Sequence, residues 1–365
     1  MMRLDEREWR TFHISDLFTV KRPAARNKDD YKEGPVPFVA SGSVNNGVMK
    51  CCQSFDDEKL DAAGCITVSP VDGSAFYQPY DFLGRGGAGS SILMLYRDGL
   101  NLYTGQFIAK MVSNTCSGKY DYGHMGNKDS IKREQIMLPV TDDGNPDFQF
   151  MEDYIRELMA KKKKQYGEYV KQRITELCTI ADGQQVDWKS MIDSHEWEPF
   201  VVKDIADVYS GHDIYAQERI DGNTPLVTAV GMNNGIGYFV GNDNGSRADG
   251  SISVVRNGAS VGKAFYHKYS ALYGNDCRRL KLKETDSEFT SLFITQVIRM
   301  QNKAFSYSRK LGTGRLESLK IMLPVTADGQ PDYIFMEDFG RRLMLKKYRQ
   351  YLRYLENNKH YKLGS

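Results

Sequence analysis

The pattern of apolar and polar positions has two parts, and they occur in the same order in each half of the chain. Short apolar runs cut by Gly, Asn, Asp and Pro come first, such as VPFVASGSVNNGV and CITVSPVDGSAFY, then TPLVTAVGMNNGIGYFV and SISVVRNGASVGKAFY. Closely spaced turn signals with Val, Ile, Tyr and Phe between them predict many short strands. Helices are predicted only at a few places in these regions, around residues 102–112 and 288–301.

A long charged run follows each strand-rich region, at residues 151–177 and 336–361. Apolar and aromatic residues recur there near a heptad spacing, which predicts a long helix with one sticky seam. At 1.5 Å per residue each helix is about 40 Å long. Two such helices are expected to pack antiparallel and to hold two globular units apart.

The block before each long run is nearly identical, IMLPVTDDGNPDFQFMEDY at 136–154 and IMLPVTADGQPDYIFMEDF at 321–339. The NNG triplets at 45–47 and 233–235 repeat as well, and they predict tight turns because Asn and Gly tolerate positive φ. The chain is therefore predicted to be one unit written twice. The predicted boundaries are 1–148 and 195–333 for the globular units, 149–181 and 334–362 for the helices, and 182–194 for a linker.

Composition narrows the class of protein only a little. With 41% hydrophobic and 26% charged residues the chain is typical of a globular protein, and its formal charge of +2 neither announces nor excludes a nucleic-acid partner. No apolar run approaches 18 residues and the N-terminus lacks the apolar core of a signal peptide, so a cytoplasmic protein is expected. The six cysteines form no CxxC pair and do not repeat with the unit, which predicts free thiols.

The order of globular unit, long helix, globular unit, long helix resembles the specificity (S) subunit of restriction–modification systems, across essentially the whole chain. The LPVxxDGxPDxxFMED block and the Glu-Trp opening of each unit carry the resemblance, which leaves Type I and Type IIB/IIG systems open. It implies an α/β (α+β) fold with two strand-rich target recognition domains and two antiparallel spacer helices. It also implies a non-catalytic subunit that reads a bipartite, asymmetric sequence in double-stranded DNA. The partner would be a modification or restriction-modification subunit, and S-adenosylmethionine is expected there rather than in this chain.

Residue type and loop position select candidates for contact with DNA, since Arg suits guanine, Asn suits adenine and Lys mostly holds phosphates. The candidates in the first unit are Lys21, Arg22, Arg26, Asn27, Lys28, Arg85, Tyr120, Tyr122 and His124. Those in the second are His212, Tyr215, Arg219, Arg247, Arg256, Asn257, Tyr307, Arg309 and Lys310. The tyrosines of the long helices are candidates for the helix pair or for a partner subunit, namely Tyr154, Tyr166, Tyr169, Tyr348, Tyr351 and Tyr354. The lysine run at 161–164 is either a solvated helix face or a contact for phosphates or an acidic partner.

Two other functions remain as alternatives, a free-standing DNA adenine methyltransferase and an interaction scaffold that reads no sequence. The NPDF segment at 145–148 resembles a methyltransferase loop but lacks its second proline, and its twin QPDY stands before the second helix. Both are better interpreted as turns that begin the helices. The glycines of GRGGAG at 84–89 match a dinucleotide spacing outside a strand–helix unit, and a flexible loop is the better interpretation. The six histidines show no metal-binding spacing.

Overall fold

The computed structural model describes residues 2–87, 89–178, 187–306 and 308–357. The chain divides into two compact units, residues 1–166 and 167–365. Tyr307, residues 179–186 and residues 358–365 lie outside the described part, so one DNA-binding candidate and parts of the predicted helices and linker are not placed.

Short strands build the first unit as three small sheets. An antiparallel pair joins β1 (Trp9–His13) to β9 (Gln135–Pro139). The four-stranded sheet has the order β2 (Thr19–Lys21), β8 (Leu93–Tyr96), β5 (Cys65–Val68), β6 (Ala75–Gln78). The three-stranded sheet has the order β4 (Val48–Cys52), β3 (Glu33–Val39), β7 (Leu83–Gly84), with β3 and β7 parallel. The helices are α1 (Ile14–Leu17), α2 (Leu102–Cys116), α3 (Lys128–Arg133) and α4 (Phe148–Leu177).

The second unit repeats this plan strand for strand. Its antiparallel pair is β10 (Trp197–Val201) with β18 (Lys320–Pro324). The four-stranded sheet has the order β11 (Ala206–Ser210), β17 (Cys277–Leu282), β14 (Ser251–Val255), β15 (Ala264–His267). The three-stranded sheet has the order β13 (Ile236–Val240), β12 (Asp221–Val227), β16 (Leu272–Tyr273). The helices are α5 (Trp188–Asp193), α6 (Val202–Ile205), α7 (Glu288–Met300), α8 (Thr313–Glu317) and α9 (Tyr333–Asn357).

The central strand β5 is buried at every position because both faces of its sheet are covered. Ile66 and Val68 lie in one buried cluster with Phe107 and Ile108 of α2. Cys65 lies in a separate buried cluster with Val39 and Phe82. Successive side chains of a strand point to opposite faces, so a strand with two dry faces loses the apolar–polar alternation. The second unit packs Ile252 and Val254 of β14 against α7 in the same way.

The NNG turns adopt the backbone that their residues predict. Asn45 and Asn46 have φ of 49° and 57°, and Asn233 and Asn234 have φ of 49° and 55°. The side-chain amide of Asn46 donates to the carbonyl of Tyr77 at 3.0 Å, and that of Asn234 donates to Tyr266 at 3.3 Å. Asn tolerates this left-handed region better than most residues. The prediction of tight turns with positive φ is confirmed.

Both long helices begin at the turns that the repeated block supplies. The carboxylate of Asp147 accepts a hydrogen bond from the backbone N–H of Phe150 at 2.9 Å, and Asp332 does the same for Phe335 at 2.8 Å. An Asp in this position satisfies one of the backbone donors that a helix start leaves open. The interpretation of NPDF and QPDY as helix-starting turns is confirmed, and so are the shorter helices near residues 102–112 and 288–301.

Within the second unit, the C-terminal part of α4 packs against α9. Val170, Leu177 and Leu345 are buried together with Tyr348. The hydroxyl of Tyr169 lies 3.5 Å from that of Tyr348, while Arg341 donates to the carbonyl of Leu177 at 2.7 Å. Residue numbers rise on one helix as they fall on the other, so these segments are antiparallel. The mixed, strand-rich α/β fold with a repeated unit agrees with the predicted fold class, and the spacer role of the helices stays a prediction.

Candidate nucleic-acid interface

A shallow cleft opens in each unit, and equivalent loops line both. In the first unit it has a volume of about 400 Å³ and is lined by Ser41, Gly42, Val71, Asp72, Tyr120, Asp121 and Tyr122. In the second unit it has a volume of about 390 Å³ and is lined by Gly258, Ala259, Ser260, Val261, Lys263, Asn302, Phe305 and Ser306. In each unit, one loop follows the central strand (β5 or β14) and one follows the main helix (α2 or α7), and both contribute to the cleft.

A pair of backbone hydrogen bonds establishes the equivalence of these loops. Gly126 donates to the carbonyl of Pro70 at 2.8 Å, and Leu311 donates to that of Arg256 at 3.0 Å. Each bond ties the loop that follows the main helix to the end of the central strand. Loops held by the same backbone but carrying different side chains are suited to reading different partners.

Carboxylates and aromatic rings characterise the cleft of the first unit. Tyr122 is 82% exposed, the largest exposure among the aromatic side chains of the described residues. Asp121 accepts hydrogen bonds from the backbone N–H groups of Gly123 and His124, both at 2.7 Å, which fixes the loop. His124 is exposed and its ring stacks near Tyr120 at 6.3 Å. Exposed rings of this kind can contact bases or sugars, and carboxylates can accept from cytosine.

Arg26 is not available for DNA, which corrects the prediction for this residue. Its side chain is 3% exposed and pairs with Glu58 at 2.6 Å and with Asp61 at 2.7 Å. Burial alone would raise the pKa of Glu58, but the hydrogen bonds from Arg26 and Tyr31 outweigh it and lower that pKa. The guanidinium also donates to the carbonyls of Lys59 and Gly84. Arg26 therefore holds the loop after β2 in place.

Tyr120 is also removed from the candidates for base contact through its hydroxyl. Its side chain is 6% exposed, and the hydroxyl donates to Glu134 at 2.7 Å. Burial, with the hydrogen bond to Glu134, raises the pKa of Tyr120 well above its usual value, although the hydrogen bond with Ser130 acts in the opposite direction. The ring forms the floor of the cleft rather than a reading group.

The remaining candidates of the first unit lie at the surface. Arg85 is half-buried and donates to the hydroxyl of Ser90 at 2.6 Å, beside the loop that carries Ser41. Lys21 is exposed and lies 4.9 Å from the ring centre of Tyr96. Arg22, Asn27 and Lys28 are exposed in the loop after β2.

In the second unit, a chain of contacts brings several candidates to one end. The carboxylate of Asp213 accepts from the backbone N–H of Asn275 at 2.8 Å, and the side chain of Asn244 donates to the carbonyl of His212. The loops that carry His212, Tyr215 and Arg247 therefore meet the loop after β16. His212, Tyr215, Arg247, Arg309 and Lys310 are exposed, whereas Arg219, Arg256 and Asn257 are half-buried.

The structure also identifies residues that the sequence reasoning missed. Asp276 lies 3.1 Å from Arg256 in an ion pair, and the buried Arg278 donates to the hydroxyl of Thr313 at 2.6 Å. Lys263 lines the cleft and donates to the carbonyl of Gly231 at 3.2 Å. The repeat offered a signal for these residues, because aligning the halves places charged residues opposite uncharged ones of the first unit. Residue type alone did not reveal it.

The tyrosine candidates divide into core and surface. Tyr154 packs at the edge of the first unit's core, 5.9 Å from the ring of Phe107, and Tyr348 is 8% exposed in the helix pair. Tyr348 is therefore part of the helix pair, while Tyr154 is partly buried. Tyr166, Tyr169 and Tyr354 are 46%, 44% and 57% exposed, and Tyr351 is half-buried beside Tyr354. The lysines at 161–164 are exposed on α4, which leaves both interpretations of that run open.

The glycine pattern at 84–89 serves close packing. A Cβ on Gly86 would lie 2.1 Å from the carbonyl oxygen of Ala24, and Gly84 and Gly86 are buried. The prediction of a flexible loop is therefore wrong for these two residues. Across residues 2–87, 89–178, 187–306 and 308–357, no group of three His, Cys, Asp or Glu side chains is arranged to hold a metal ion. None of the described helices combines the length and apolar character that a membrane crossing requires.

Comparison with known proteins decides the family. The model of the Type I restriction modification DNA specificity domain matches twice, at residues 6–166 and 194–351. The chain belongs to this family. It is a specificity subunit that reads a DNA target, as the resemblance implied, and the family favours this function over a free-standing methyltransferase.

Individual relatives agree with the family match. The chain is 28% identical over 342 residues to the specificity subunit S.BcgI of a Type II restriction enzyme from Heyndrickxia coagulans, covering 92% of this chain and 94% of that protein. A Type I S subunit from M. genitalium is 16% identical with a TM-score of 0.44, covering 98% of this chain and 94% of that one. An HsdS subunit from Thermoanaerobacter tengcongensis is 11% identical with a TM-score of 0.30, covering 98% and 92%.

Proposed function

We propose that each unit reads its own half of a bipartite, asymmetric DNA target through its cleft and the loops around it. The supporting observation is that one scaffold is built twice with different chemistry at the same place. The first cleft carries Asp72, Asp121 and Tyr122, whereas the second carries Lys263 and Asn302. Two identical half-sites would be expected only if these side chains matched.

The two clefts should differ in what they accept. Carboxylate oxygens accept hydrogen bonds from the exocyclic amino group of cytosine, and amide groups suit adenine. A lysine attracts phosphates and acceptor-rich base edges. The matched NNG turns and the helix-starting block hold the fold in both units and so carry no sequence information.

The chain works in this proposal with a modification or restriction-modification subunit that binds S-adenosylmethionine and transfers the methyl group. Exposed tyrosines on the long helices, Tyr166 and Tyr354, are the surface groups best suited to such a partner, because interfaces are enriched in Tyr. Whether the complex resembles a Type I or a Type IIB/IIG system depends on that partner. The complex acts on cellular DNA, which places it in the cytoplasm.

Mapping modified adenines in the host genome tests the proposal. In cells with the intact gene, one two-part motif with different halves should be methylated, and deleting the gene for this chain should abolish that methylation. Reintroducing the gene should restore the same motif. A motif with two identical halves, or methylation that persists after the deletion, would contradict the proposal.

A further inference from the structure

The ends of the two central sheets differ in charge at three equivalent positions. Val68 of β5 pairs with Leu93, and Val254 of β14 pairs with Arg278. Pro70 and Arg256 come two residues after Val68 and Val254. Their carbonyl groups accept the equivalent backbone hydrogen bonds from the loop after the main helix. Ser91 and Asp276 come two residues before Leu93 and Arg278.

Two of the charged residues of the second unit, Arg256 and Asp276, form an ion pair that Asn257 also joins. Asp276 Oδ1 lies 3.1 Å from Arg256 Nη2 and 3.5 Å from the amide nitrogen of Asn257. The backbone N–H of Arg256 donates to the carbonyl of Asp276 at 2.9 Å, which fixes the two residues side by side. A guanidinium held at one nitrogen by a carboxylate is partly pre-organised, so less side-chain entropy is lost when its remaining donors bind.

Two atoms of this group have no hydrogen-bond partner within the part of the chain that the structure describes. Among the described residues, neither Arg256 Nε nor Asn257 Oδ1 has a hydrogen-bond partner, although both atoms are shielded from solvent. Unsatisfied buried polar atoms are costly and uncommon in native proteins, so these two mark a polar group whose bonding is incomplete within the described residues. The side chain of Arg256 nevertheless keeps 26% of its surface exposed, so it can reach a ligand.

Arg278 adds a second positive charge close to that of Arg256. It is 5% exposed and its donors are bonded to Thr313 and to the carbonyls of Asn275 and Cys277. Burial, and secondly the neighbouring Arg256, lowers the pKa of Arg278. Two guanidiniums with one carboxylate leave the group with a net charge of about +1, which favours a ligand edge rich in acceptors.

The base edge with two adjacent acceptors is that of guanine in the major groove, where O6 and N7 lie side by side. A guanidinium matches this pair with two parallel N–H groups, and no other base offers the same pattern there. Pro70, Ser91 and Leu93 give the first unit nothing equivalent.

We propose that Arg256, positioned by Asp276, reads a guanine in the half of the target that belongs to the second unit. This inference rests on the proposed function and adds the base and the residue pair to it. Arg256 contacts the base, and Asp276 acts as a positioning residue. The first unit reads its half without this device.

The test measures binding of the full chain, assembled with its modification subunit, to duplexes that carry the target and every single-base change in it. Arg256→Ala should weaken binding to the target roughly ten- to a hundredfold, as expected for loss of a bidentate contact. At one guanine of the second half-site, base changes should then no longer matter. Asp276→Asn should reduce discrimination at that same guanine while binding to unrelated duplexes stays equal or increases, since a negative charge is lost.

Arg256→Lys keeps the charge without the planar fork, and it should also lose discrimination at that guanine. The matched control is Lys281→Ala, which removes a positive charge near the end of β17 opposite to Asp276 and should leave base preference unchanged. Its ion pair with Asp286 lies away from the cleft residues.

The outcomes distinguish a failure of the Arg256 inference from a failure of the proposed function. If Arg256→Ala weakens binding to all duplexes alike, the residue holds a phosphate and the inference is overturned. Unchanged discrimination in both Arg256→Lys and Asp276→Asn would overturn it as well. If the unmodified complex shows no sequence preference at all, the proposed function itself fails.

Discussion

The two units reach the same fold with different side chains at equivalent buried positions. In the first, Arg26 joins Glu58 and Asp61 under the loop after β2. In the second, the position 188 residues later is Ile214, buried at 5% in an apolar cluster with Leu226. In both units the side chain at this position is buried, and it anchors the equivalent loop. A polar residue in a repeated loop is therefore no evidence of function until its burial is known.

A second pair of positions shows the same freedom in the four-stranded sheets. The buried Gln78 donates to the hydroxyl of Thr67 at 2.8 Å in the first unit. His267 occupies the equivalent place in the second, 2.8 Å from the hydroxyl of Ser253. Both side chains fit the same fold at neutral pH, but at this position only the second unit has an imidazole, which can take up a proton in acid.

The largest difference between the units is expected when the buried guanidinium of Arg26 is removed from the first unit. Arg26→Ala should lower the free energy of unfolding by about 3–5 kcal/mol, because Glu58 and Asp61 would be left buried without their partner. Ile214→Ala should cost about 2–5 kcal/mol through a cavity in the second unit. Urea denaturation of the full chain measures both. Arg10→Ala, which removes an exposed ion pair with Glu8, is the control and should leave the midpoint almost unchanged.

Helix packing offers a second contrast. Gly105 of α2 lies four residues after its N-cap, where α7 has the buried Ser291. A Cβ on Gly105 would lie 2.2 Å from the ring of Tyr77. Gly105→Ala should therefore destabilise the first unit by about 1–3 kcal/mol, although alanine favours helices. Ser291→Gly should cost no more than about 1 kcal/mol. A stabilised Gly105→Ala variant in thermal unfolding would show that the ring can move aside.

The buried histidine predicts an acid sensitivity of the second unit. Burial lowers the pKa of His267 from 6.5 to about 4. Below pH 6.5 the unfolded chain takes up a proton that the folded chain refuses, so stability falls by up to about 1.4 kcal/mol per pH unit until pH 4. Relative to pH 7, the loss at pH 5 should be about 2 kcal/mol. His267→Gln, which copies the first unit, should lose this part of the pH dependence, measured as the difference between the two unfolding curves at each pH.

The smallest predicted effect is one that the units share. Asn46→Ala and Asn234→Ala each place alanine at positive φ and remove a hydrogen bond to a backbone carbonyl. Each should cost roughly 1–2 kcal/mol, and by similar amounts. Asn→Gly at the same positions should cost less, since glycine accepts this backbone. Unequal losses in thermal unfolding would mean that the two turns are not equivalent.

The sequence predicted those features that depend on neighbouring residues. The NNG turns, the two helix starts and helices α2 and α7 follow from local signals, and the repeat of the fold follows from the repeated block. The candidate site was predicted less well, because burial depends on distant partners. Arg26 meets Glu58 and Asp61 some thirty residues away, and Asp276 approaches Arg256 only once β14 and β17 are paired.

The most direct test of the central claim is the DNA sequence that the assembled complex selects from a pool of random duplexes. Two clefts with different side chains on one scaffold predict two different half-sites at a fixed separation, with a guanine in one of them that depends on Arg256. Two identical half-sites, a single half-site, or no enrichment would contradict the account.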